Sequence, residues 1–135
     1  ANLDIRVPAG AARLDVELAD FRFDFDAEAL RRANGVVAMT ARNVGGQDHE
    51  MGVVRIDDGI VLLDALKAQP AQGEDPPGLE FIGGGFVGQG SLMVFAFSEF
   101  TPGRYALICM LPDANEGETG TPHALKGMVS EFTID

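Results

Sequence analysis

The sequence is poor in the residues that usually mark chemistry. Among 135 residues there is one cysteine, Cys109, and there are two histidines, His49 and His123. A single cysteine excludes an internal disulfide, so disulfide usage says nothing about compartment. Serine, histidine and aspartate show no triad-like arrangement, which argues against acyl-transfer chemistry. Basic residues are scarce as well: 10 Lys and Arg stand against 21 Asp and Glu, a net charge of −11. A phosphate backbone needs clustered Lys and Arg, so nucleic acid is not an expected partner. An anionic membrane surface is disfavoured for the same reason. No apolar run is long enough to span a bilayer, so membrane insertion is not expected. Residues 1–4 lack the basic start and apolar stretch of a secretory leader.

What is present suits a globular chain. The length fits one domain with one core, residues 1–135. Apolar content of 46% is ordinary, and charged content of 23% argues against disorder. The acidic excess serves solubility or attracts a basic protein partner.

Hydrophobic alternation then predicts strands. Residues 1–13 read as an extended arm or edge strand. Leu14, Val16 and Leu18 alternate with charged residues, and Phe21, Phe23 and Phe25 do the same one register later. The phase slips at Ala19-Asp20, where a bulge or a crossing between sheets is expected. Residues 26–34 admit a short helix capped by Asp26 or an extended segment. Residues 36–42 and 49–56 read as strands flanking the turn cluster Asn43-Val44-Gly45-Gly46. Ile60, Leu63 and Leu66 suit a short helix, and residues 68–78 a loop. Gly83-Gly84-Gly85 and Gly88 lack a Gly-Lys-Ser/Thr ending and a following helix. They read as a glycine-rich turn between strands rather than a phosphate cradle. Residues 91–100 are apolar on both faces and predict a central strand. Tyr105, Leu107 and Cys109 share a face, and residues 129–134 alternate into a last strand. Some seven strands with one short helix predict an all-β two-sheet sandwich.

The rare residues fall in a pattern. Cys109 and His123 lie in the last quarter of the chain, Met128 is five after His123, and His49 opens an alternating run. Two imidazoles, a thiolate and a thioether are ligand types that suit both copper oxidation states. The other methionines, Met39, Met51, Met93 and Met110, read as core filler.

These residues carry a resemblance to the cupredoxin family of plastocyanin, azurin and their relatives. Pro102-Gly103 leads into Tyr105-x-x-x-Cys109, and His123-x4-Met128 closes the ligand loop. Asn43 to His49 and, more loosely, Phe21 to Phe25 extend the likeness over most of the chain outside residues 57–82. The resemblance implies a Greek-key β-sandwich. It implies one mononuclear copper ion held by His49, Cys109, His123 and Met128, with electron transfer between redox protein partners rather than catalysis. It implies residence in the periplasm or outside the cell, and His123 near the surface as the electron outlet.

Two features depart from the family pattern. Thirteen residues separate Cys109 from His123 where two to four are usual, and this interval is rich in turn formers. Lengthening a loop from four to thirteen residues costs roughly 1 kcal/mol. Metal binding supplies on the order of 10 kcal/mol, so the loop does not exclude copper. Glu50 stands directly after His49, where many members carry an Asn that ties two ligand loops together. Alternation along the strand points Glu50 toward solvent, ahead of roles as a neighbouring acceptor or a ligand. Three readings compete with electron transfer: a copper carrier or store, a metal-free binding module, and a zinc site.

Overall fold

The computed structural model describes residues 10–33, 35–68, 75–116 and 120–135, with the side chains of residues 98 and 99 left aside. The arm read over residues 1–13 therefore lies mostly outside the described residues, as do residues 69–74 of the 68–78 loop and residues 117–119 of the Cys109–His123 interval.

Among the described residues, eight strands form two four-stranded sheets. The first orders β2 (Arg22–Asp24), β1 (Ala12–Ala19), β3 (Gly35–Asn43) and β6 (Leu92–Phe100). The second orders β5 (Leu79–Val87), β4 (His49–Ile56), β7 (Gly103–Ile108) and β8 (Val129–Ile134). All pairings are antiparallel except β1 with β3, which run parallel with Leu14 opposite Met39 and Leu18 opposite Asn43. Alternation decides what goes inside. Leu14, Val16 and Leu18 of β1 meet Met51 and Val53 of β4 and Tyr105 and Leu107 of β7 in the core between the sheets.

The opposite face of β4 and β7 is apolar too. Val54, Ile56, Ala106 and Ile108 are covered by Leu62, Ala65 and Leu66 of helix α2 (Leu62–Lys67). Helix α1 (Ala27–Arg31) also forms, with the Asp26 carboxylate accepting from the Ala29 N–H at 3.1 Å. The fold is thus the expected all-β sandwich, with eight strands among the described residues instead of about seven and two short α-helices instead of one.

Three local expectations are corrected. The slip at Ala19-Asp20 is a hairpin turn, with Ala19 paired to Arg22 within one sheet. The glycine run is not a turn: it lies inside β5. Gly83 sits under the Phe97 ring, where an added Cβ would lie 2.6 Å from Cε1. Gly84, at φ +100°, leaves room for the Met51 carbonyl next to the β4–β5 register shift. Strand β6 is an edge strand, not a central one. One of its apolar faces is covered because Phe95 and Phe97 reach across to the glycines of β5, which belongs to the other sheet, while Leu92, Val94 and Ala96 on the other face stay partly exposed.

Candidate metal centre

Three segments converge at one end of the sandwich. His49 opens β4, Cys109 directly follows β7, and His123 opens a single 3₁₀ turn, His123–Lys126. All three side chains are fully buried, and one ligand atom from each lies within 4.8 Å of the other two. The long interval does not spread the group apart, because its base is closed. Pro112 bridges Pro122, Asp113 N–H donates to the Thr121 carbonyl at 2.9 Å, and His123 N–H donates to the Leu111 carbonyl at 2.8 Å. The interval is an excursion on a short neck. The turn is then fastened to the cysteine, with Ala124 N–H donating to the Cys109 carbonyl at 2.7 Å.

Met128 is fully buried in the same core as Cys109. Its carbonyl accepts from Cys109 N–H at 3.3 Å and its N–H donates to the His123 carbonyl at 3.0 Å. The backbone thus ties Met128 to both neighbouring candidate ligands.

The hydrogen bonds around the imidazoles decide where their protons sit. His123 Nε2 lies 2.9 Å from Gln47 Oε1. That oxygen also accepts from the Ala114 N–H at 2.8 Å, while Gln47 Nε2 donates to Asp113 Oδ1 at 2.9 Å. The amide orientation is therefore fixed from two sides, and His123 Nε2 must be the donor. His49 Nε2 lies 2.7 Å from Asp20 Oδ1, an acceptor-only carboxylate, so it donates as well. The two Nδ1 atoms then face each other at 3.1 Å. Only one can carry a proton; two bare lone pairs at this distance repel. Cys109 Sγ lies 3.4 Å from His123 Nδ1. The donor set calls for a cation, and a metal ion satisfies both nitrogens and the sulfur at once.

The electrostatics fit. Burial, and then the neighbouring His49, push the His123 pKa down, which keeps its Nδ1 free of a proton. Burial pushes the Cys109 thiol up, and the Glu50 N–H, donating to Sγ at 3.2 Å, works against that rise. A bound metal would remove the thiol proton outright.

Two expectations change here. Glu50 does not simply face solvent. Its Oε1 accepts from the Met110 N–H at 3.1 Å and so ties β4 to the residue after Cys109. The cause is that Met110 lies past the end of β7, where no strand neighbour takes its N–H. His123 is not a surface outlet either. Gln47 closes its Nε2, and the Phe21 ring packs on it at 4.7 Å. Asn43 folds the approach to His49. It accepts from Gly45 N–H at 2.9 Å and donates to the carbonyls of Gln47 at 2.8 Å and Val87 at 3.0 Å.

Asp20, Phe21, Gln47 and Asp113 are the site neighbours that pattern reading missed. The phase slip at residues 19–20 pointed to the first two without saying what they touch. Nothing in the sequence singles out Gln47 or Asp113.

No protein-family model matches the sequence, and no curated protein matches it by sequence. Solved structures do match. One is a sodium-dithionite-reduced auracyanin from the photosynthetic bacterium Roseiflexus castenholzii. It is 17% identical over 93% of this chain and 99% of that one, with a TM-score of 0.59. Another is auracyanin B, 21% identical over 97% of this chain and 92% of that one, with a TM-score of 0.58. Likeness at these identities concerns the fold, and the fold is that of the cupredoxins. At one end of that fold this chain places a buried His-Cys-His cluster of metal-binding type.

Proposed function

We propose that the protein binds one copper ion and passes single electrons between redox protein partners. His49, Cys109 and His123 would hold the ion, with Met128 as a fourth, weaker ligand. The bound copper would supply one-electron chemistry, Cu(I) favouring the sulfur and Cu(II) the imidazoles. The observation that carries this reading is the pair of Nδ1 atoms at 3.1 Å whose outer nitrogens are both committed as donors, beside the one thiol.

The chain's own residues prepare that task. Asp20 and Gln47 fix both ring orientations before any metal arrives, and the Glu50 N–H stabilises charge on Sγ. Full burial of all three side chains keeps water and substrates away. That favours electron transfer over catalysis. It also favours electron transfer over a copper carrier, which must release its ion readily. The resemblance to cupredoxins supports a location in the periplasm or outside the cell.

The test is Cu(II) added to metal-free protein. An intense visible band from sulfur-to-copper charge transfer is expected, and Cys109→Ser should abolish it while the fold survives, since a hydroxyl is a poor soft ligand. Copper uptake without such a band would remove Cys109 from the ligand set. A marked preference for Zn(II) in competition would favour the zinc reading.

A further inference from the structure

The two imidazoles have unequal partners. His123 donates to a neutral amide oxygen, Gln47 Oε1. His49 donates to a carboxylate, Asp20 Oδ1, at 2.7 Å. Asp20 sits in the β1–β2 turn, far from His49 in sequence, and its placement is built rather than incidental. Its second oxygen accepts from the Gly46 N–H at 3.0 Å. Gly45 leaves the space the pair occupies: a Cβ there would lie 2.5 Å from Asp20 Oδ1 and 2.8 Å from His49 Nε2. The neighbouring Phe21 brings its ring to 4.7 Å from that of His123. The hairpin turn therefore contributes to the surroundings of both histidines.

We infer that Asp20 is a positioning residue that holds the His49 ring in one tautomer and whose own negative charge biases the site toward the more highly charged oxidation state of its metal. This rests on the copper reading above. A carboxylate on the outer nitrogen of a ligating imidazole fixes its tautomer and raises its basicity. The negative charge also favours Cu(II) over Cu(I) by simple attraction. Losing such a partner typically costs 10–100-fold in metal affinity. The Asp20 side chain is 33% exposed, so water screens it and the lower end of that range applies.

The experiment measures Cu(II) and Cu(I) affinities by chelator competition in wild type, Asp20→Asn and Gly45→Ala, together with the visible spectrum. Asp20→Asn keeps shape and removes charge; Gly45→Ala keeps the charge and wedges the Asp20–His49 pair apart, crowding both partners. Both should lower Cu(II) affinity about tenfold more than Cu(I) affinity. Expressed as a reduction potential, that is a rise of about 59 mV for one electron. The charge-transfer band should persist in both variants. Equal losses for the two ions would show that Asp20 only holds the fold and would overturn the inference. So would a ratio unmoved in a variant that keeps the band. Wild-type protein that takes up copper without the band would remove Cys109 from the ligand set and overturn the electron-transfer reading on which this inference rests.

Discussion

A thioether is a weak ligand, and that weakness separates Met128 from the other three candidates. Replacing it by leucine keeps volume and burial and removes only the sulfur, so the fold should persist with a stability change under about 1.5 kcal/mol. If Met128 touches the ion, Met128→Leu should keep the charge-transfer band and shift the reduction potential, because the fourth ligand tunes the site more than it holds it. Voltammetry on the copper-loaded variant checks this; an unmoved potential would return Met128 to the core as filler. At this scale the sequence was informative where a residue type is rare. One Cys and two His left no choice of candidates, and the structure brings those three together. It was silent on Asp20 and Gln47, because Asp and Gln are common types. Their roles come from tertiary placement: the hydrogen bonds that matter span 29 and 76 positions of chain.

Elements were legible where one face is apolar and the other polar. Strand β4 matches its expected bounds of residues 49–56, β3 extends the expected 36–42 by one residue at each end, and β1 contains the alternating Leu14, Val16 and Leu18. Strand β5 was missed because glycine carries no pattern. Its run exists for clearance, so filling it should cost stability: Gly84→Ala places a Cβ 1.9 Å from the Met51 carbonyl oxygen at φ +100°. A loss of about 3 kcal/mol is expected, read from the urea midpoint at unchanged slope. The Cys109–His123 interval was read as a turn-rich loop. The structure adds a buried acid to it, Asp113, which anchors Gln47 and meets Lys126 Nζ at 2.6 Å. The Lys126 hydrogen bond first, then those from Asn115 N–H and Gln47, hold the Asp113 carboxyl well below the ordinary carboxylate range. A depressed folded pKa stabilises the fold above the unfolded value of 3.8, and that contribution fades as pH falls toward the folded value. The melting temperature of Asp113→Asn should therefore lie below wild type by a constant gap above about pH 5 and converge on it below pH 3.8. A gap that persists unchanged into acid would mean the carboxylate charge is not what holds the excursion.

For the whole molecule, the sandwich was legible because strand periodicity and turn signals agree along nearly the full chain, while the route by which the proposed electron transfer would leave it was not. The closed His123 removes the surface ring that the family resemblance suggested. If the protein works as proposed, docking would rely on features larger than one residue, and the largest is charge. A net charge of −11 would attract a cationic redox protein from beyond contact distance. Salt screens such attraction over a Debye length of about 8 Å at physiological ionic strength. Steering of this kind acts on association more than on the bound complex. The second-order rate of electron transfer to a basic redox partner should therefore fall steeply as salt rises from about 10 mM to 500 mM, where the Debye length shrinks from about 30 Å to a few ångströms. The first-order rate within the formed complex should change far less. Stopped-flow mixing across that salt range separates the two. A second-order rate indifferent to salt would assign the acidic surface to solubility alone.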